Sequence, residues 1–228
     1  MSDHGQIGKA GKDFYLKKLT LSMLVPGTFV FLMWLVKITE LLFDLDLAHL
    51  GIYPLTVQGL WGILFSPLIH AGFGHLINNS LPVFFLGTFL FYFYSEIAVK
   101  ISLLIWFITG AAVWFSGREA WHIGASGIIY GLASFLFFSG IIRKHFRLAG
   151  LSLLVVFLYG SMVWGIFPDV YKEVSWESHM TGFISGIILA IAYRKQGPQA
   201  PVYEWLDEDN EDADLRAGEQ NADTPYIK

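Results

Sequence analysis

"WHIGASGIIYG", residues 121–131, sets a serine between two glycines at the start of a run with no charged residue before Arg143. A run of that kind reads as a membrane-spanning helix, for which about 20 mainly apolar residues are needed. Ser126 then stands where a helix enters lipid, a costly place for a polar group unless it is paired or functional.

The rest of the chain has the same character. Of its 228 residues 54% are hydrophobic and only 15% charged, against roughly a quarter charged in an ordinary soluble domain. Uncharged runs recur at 19–36, 76–95, 101–117, 124–142, 148–168 and about 178–193. This pattern predicts an all-α polytopic membrane protein, a bundle of six transmembrane helices joined mostly by short loops. The exception is the first outer loop, 44–72, "DLDLAHLGIYPLTVQGLWGILFSPLIHAG", which is apolar but broken by Gly and Pro. It is expected to lie against the membrane surface without crossing. Residues 1–18 are polar and basic, and the apolar stretch after them has no small-residue cleavage site, so it reads as an uncleaved span. The core is 19–193. The segment 194–228 is acidic and too poor in apolar residues to build a core, and is expected to be a disordered tail with a short membrane-surface contact at "VYEWL".

Orientation follows from the distribution of Lys and Arg. With the N-terminus inside, the inner segments hold Lys9, Lys12, Lys17, Lys18, Lys100, Arg143, Lys144, Arg147, Arg194 and Lys195, and the outer loops hold Arg118 and Lys172. Both termini are therefore expected in the cytoplasm, and spans two, four and six begin at the outer face. The formal charge of −4 comes largely from the tail. The chain has no cysteine, which excludes a disulfide framework, a Cys-based zinc site and a thiol nucleophile. No nucleic-acid partner, cofactor or metal is read from the sequence.

Three polar clusters fall at those outer helix ends. Ser126 opens span four in "GASG", His75 and Asn79 open span two in "HAGFGHLINN", and His179 opens span six in "SHMTGFISG". Each has a plain structural reading. Serine between glycines is common where membrane helices touch, and the match to a nucleophile elbow is weak because no strand precedes it. His179 alone reads as an interfacial histidine, and His75 with Asn79, on one helix face, as hydrogen-bonding partners of a neighbouring helix.

Together the clusters say more. Gly127 with Gly131, and Gly182 with Gly186, form small-xxx-small pairs that let spans four and six approach closely. His179 shares a face with Gly182 and Gly186, and Ser126 shares one with Tyr130, whose ring can pack against the histidine. A neutral imidazole suits the removal of a serine proton near pH 7. An oxyanion then needs donors, available from His75, the Asn79 amide and the Ser126 N–H. Glu177 lies two residues from His179 and points elsewhere on a helix, so the set reads as a Ser-His dyad for acyl transfer.

The three motifs, in this order over six spans, resemble the rhomboid intramembrane serine proteases across roughly residues 19–193. The resemblance implies a rhomboid-like bundle that cuts transmembrane protein substrates in or near the bilayer, through a cavity open to the outer face. It implies Ser126 as nucleophile, His179 as general base, and His75 and Asn79 as the oxyanion pair. Gly124 matches the glycine of the family's GxSG motif, Tyr130 the tyrosine that stacks on the base, and His70 a recurring histidine of structural role. The chain departs from the family where many members carry a Trp-Arg pair, since Trp61 is followed by Gly62. A compact six-span core fits the cytoplasmic membrane of a bacterium.

Three other readings compete. A non-catalytic relative that binds transmembrane helices is disfavoured by the presence of both Ser126 and His179. A transporter predicts polar groups through the full depth of the membrane. A metalloprotease predicts an HExxH motif, which the sequence lacks.

Overall fold

A helix that is apolar all round has to be surrounded by protein or lipid, and the segment opened by Ser126 is surrounded by protein. The computed structural model describes residues 3–168 and 174–199. Within them the chain forms seven α-helices: α1 Asp3–Leu42, α2 Val57–Phe65, α3 Phe73–Phe93, α4 Ala98–Ser116, α5 Ser126–Ile142, α6 Phe146–Tyr159 and α7 Trp176–Ala192. No strand is present among the described residues; the one isolated bridge pairs Ile52 with His122.

Helix α5 is central, with residues on every side buried, from Ile128, Ile129 and Tyr130 down to Phe135 and Leu136. Helices α3, α4, α6 and α7 pack around it. α1 lies outside, against α3, joined by a bond from Trp34 Nε1 to Ser80 Oγ of 3.0 Å. Its other faces carry exposed Leu24, Phe31 and Leu35, the pattern of a helix that meets lipid.

Three helical segments, Lys12–Leu42, Phe73–Phe93 and Ala98–Ser116, are long and apolar enough to cross a membrane. The helices of the remaining expected spans are shorter, with α5 and α7 at 17 residues each and α6 at 14. The first expected span, 19–36, is the middle of a longer helix that holds Lys37 near its end, paired with Glu40 at 2.7 Å. The fifth, 148–168, is α-helical to Tyr159 and continues as a 3-10 segment, Gly160–Ile166. Lys37, following the first expected span, adds a third basic residue on the expected outer side to Arg118 and Lys172, of which Lys172 lies outside the described residues.

The first loop is more ordered than its Gly and Pro content implies. It contains α2, capped by Thr56, whose side chain accepts from Gly59 N at 3.1 Å. Trp106 Nε1 and Trp114 Nε1 of α4 bind the carbonyls of Ile63 and Thr56 at 2.7 and 2.8 Å. Gly62, at the position following Trp61, faces the Gly51–Ile52 backbone so closely that a Cβ there would run into it. Gly62 thus stands where this loop admits no side chain.

At the opposite end Arg143, just after α5, is buried with no carboxylate partner among the described residues. It donates to Ser139 Oγ and to the carbonyls of Tyr193, Arg194 and Pro198 at 2.8–3.0 Å. These carbonyls belong to the chain just after α7, so one guanidinium fastens the end of α7 to α5. The first residues of the expected tail are held in this way; its remainder, with the "VYEWL" stretch, lies outside the described residues.

Candidate active site

The loop before α5 turns at Gly124, where φ is +102°, a conformation that favours glycine. Its N–H donates to the Ser66 carbonyl at 2.8 Å. The His75 imidazole occupies the space beside it, 2.6 Å from where a Cβ would stand. Gly124 therefore allows the turn and also the approach of α3 to the chain just before Ser126. Ser126 is the first residue of α5, so its N–H and that of Gly127 belong to the four donors a helix start leaves free.

Helix α7 meets α5 through glycine. A Cβ on Gly182 would run into the Gly127 carbonyl, and one on Gly186 into the Gly131 carbonyl and Ser134 Oγ. Ser134 Oγ also donates across to the Phe183 carbonyl at 2.9 Å. This contact brings the first turns of the two helices together, one carrying Ser126 and the other His179.

His179 is buried, and the Tyr130 ring stacks on it with centroids 4.2 Å apart and planes 13° from parallel. Its Nδ1 lies 2.8 Å from the Gly165 carbonyl. A carbonyl only accepts, so Nδ1 carries the proton and Nε2 of the neutral ring keeps its lone pair. Ser126 is half-buried, and among the described residues no hydrogen bond joins its hydroxyl to His179. In serine hydrolases the bond between serine and histidine is often long before substrate binds.

On α3, Asn79 is buried and donates Nδ2 to the His75 carbonyl at 2.8 Å; its Oδ1 has no partner among the described residues. The His75 ring meets His70 edge-on, with centroids 5.0 Å apart. His70 lies in the turn before α3, 1% exposed, with Nδ1 donating to the Leu68 carbonyl at 3.4 Å. Burial pushes its pKa down to about 4, helped by neighbouring His75 and Lys37 against the bond to Leu68.

Glu177 is buried beside Arg118, with Oε1 3.6 Å from its guanidinium and Oε2 3.4 Å from Ser175 Oγ. Two other groups near the site had little signature in the sequence. Gly165 acts through its carbonyl, which has no residue type. His122 stands in the opening stretch, but the partner that matters is distant in sequence: Nε2 donates to the nearby Arg118 carbonyl at 3.0 Å, and Nδ1 accepts from Ser175 Oγ at 2.6 Å. Ser175 also caps α7 by accepting from Ser178 N, so His122 ties the loop before Ser126 to the start of the helix that bears His179. Burial pushes the pKa of His122 down, against the opposing effects of its bond to Arg118 and of Glu177.

Comparison with known proteins gives a consistent family assignment. Residues 57–196 match the family described as Rhomboid domain. The chain is 35% identical to an uncharacterized protein of Mycobacterium tuberculosis over 172 residues, 72% of this chain and 71% of the relative. An uncharacterized protein of Mycobacterium leprae is 33% identical over 172 residues, 72% of this chain and 68% of its own. The rhomboid protease GluP of Bacillus subtilis is 29% identical over 141 residues, 60% of this chain and 27% of that protein.

Proposed function

Because this chain belongs to the rhomboid family, we propose that it is an intramembrane serine endopeptidase that cuts transmembrane segments of membrane proteins near the extracytoplasmic face. Ser126 is the nucleophile and His179 the general base. His75, Asn79 and the Ser126 N–H serve the oxyanion. The single observation that carries this reading is the state of His179: stacked on Tyr130, with Nδ1–H held by a carbonyl and Nε2 left as the base, on a helix turn packed by glycine against the turn of Ser126.

In this mechanism a substrate segment unwinds at the outer ends of α5 and α7. Nε2 takes the Ser126 proton as Oγ attacks the scissile carbonyl carbon. The charge that develops on the carbonyl oxygen is met by N–H donors that need no reorganisation. The imidazolium then passes its proton to the leaving amine, and a water activated by the same Nε2 cleaves the acyl-enzyme. Six helices are assigned as spans, α1, α3, α4, α5, α6 with its 3-10 extension, and α7, with both termini in the cytoplasm of a bacterial cell. At 17 residues α5 measures about 26 Å, short of the roughly 30 Å hydrocarbon layer, which supports Ser126 lying below the membrane surface.

The open Ser126–His179 bond favours one other reading, a helix-binding protein without catalysis. Labelling by a fluorophosphonate separates the two, since only an activated serine reacts. The wild-type protein in detergent is expected to take up one label, mapped to the "GASG" peptide. Ser126→Ala should abolish it, His179→Ala should lose nearly all of it, and Asn79→Ala should label more slowly. No uptake by folded wild-type protein, or equal rates in wild type and His179→Ala, would establish the binding protein instead.

A further inference from the structure

Resting on the dyad reading above, the question left open is what replaces the carboxylate of a catalytic triad. Glu177 is engaged with Arg118 and Ser175, and the group that meets His179 Nδ1 is a backbone carbonyl 14 residues upstream. Gly165 lies in the 3-10 segment Gly160–Ile166, an element that carries none of the dyad or oxyanion side chains. The residue is buried, and its lack of a side chain is used from both directions. A Cβ there would run into the Tyr130 hydroxyl and would stand 3.0 Å from His179 Nδ1 and 3.3 Å from Tyr130 Cζ. The Tyr130 ring, the Gly165 backbone and the His179 ring thus pack as one group.

We propose that Gly165 is a positioning residue for the base. Its carbonyl fixes the Nδ1–H form and the ring plane of His179, and its missing side chain allows Tyr130 and His179 to stack while that bond is made. The carbonyl orients as a triad carboxylate does but brings only a dipole. The stacked Tyr130 ring and the carbonyl must therefore hold the imidazole jointly, and loss of either leaves its orientation to the other.

Selective ¹⁵N-histidine NMR of the full-length protein in detergent tests this, with the His179 signals identified by their loss in His179→Gln. The wild type is expected to show His179 as the Nδ1–H tautomer. Gly165→Ala should mix the tautomers and lower kcat for a single-span substrate by about 10²-fold, as ~1 Å of misplacement of a catalytic group can do, with KM unchanged. The added methyl meets the Tyr130 hydroxyl first, so in a Tyr130→Phe background the same substitution should cost less and restore part of the Nδ1–H signal. A predominant Nε2–H tautomer in wild-type His179 overturns the proposal, as does a Gly165→Ala protein with unaltered tautomer and kcat. If Gly165→Ala does not fold, the wild-type tautomer alone decides. A fluorophosphonate-inert protein that still shows Nδ1–H would sink the protease reading and leave the positioning intact; normal labelling with Nε2–H would do the reverse.

Discussion

At Gly124 the backbone turns through φ +102° while the His75 ring lies where a Cβ would stand. Gly124→Ala is therefore penalised twice. The positive φ costs an L-residue about 1–3 kcal/mol, and the methyl pushes the imidazole from its place beside this turn. Cleavage of a reconstituted single-span substrate should fall by about 10²-fold, with a lower unfolding midpoint; wild-type cleavage would mean that the fit of His75 to this turn is irrelevant to the chemistry. Residue types carried much of this in the sequence. Serine between glycines, and a histidine in register with two more, name themselves by type and spacing. The Gly165 carbonyl and the His122 to Ser175 bond do not, because one is backbone and the other joins residues 53 positions apart.

Between elements, the contact of α5 with α7 depends on glycines at matching heights. A leucine at Gly186 would meet the Gly131 carbonyl and Ser134 Oγ, and the helices would have to separate. Gly186→Leu is expected to lose about 10²-fold in rate while touching no substrate. Gly150→Leu on α6 is the control, since nothing lies within 4 Å of its Cβ position, and it should cleave normally. Equal activity in both variants would place Gly186 on a free face. The small-residue spacing of this pair is readable because it repeats along one helix face. Helix α2 is not, because nine residues give too few turns to separate a helical period from a merely apolar loop. What fixes α2 is tertiary, the two tryptophan donors of α4 and the close backbone at Gly62.

For the molecule as a whole, topology and stability each make a prediction. In the proposed topology, drawn from the Lys and Arg asymmetry, the C-terminus is inside, so a reporter fused after Lys228 should behave as cytoplasmic; an external reporter would reverse the assigned direction of every span. Stability should fall on the acid side, because the fold buries histidines in neutral form outside the spans. The ordinary histidine pKa is 6.5, against about 4 for His70 in the fold, and His122 is lowered in the same direction. Above pH 6.5 neither folded nor unfolded chain binds a proton at these sites, and the full stability is present. Below it the unfolded chain takes up protons that the folded chain does not, so stability declines as the pH falls and levels off only below the folded pKa. For His70 alone the interval from 6.5 to about 4 corresponds to a loss on the order of 3 kcal/mol. His70→Asn keeps a donor for the Leu68 carbonyl but cannot titrate. Its unfolding midpoint in detergent should vary less steeply than that of wild type between pH 6.5 and about 4, with the remaining slope due in part to His122. Identical slopes would mean that His70 takes up its proton as readily in the fold as out of it, and that its burial between Leu68, Lys37 and His75 does not set the acid limit of the protein.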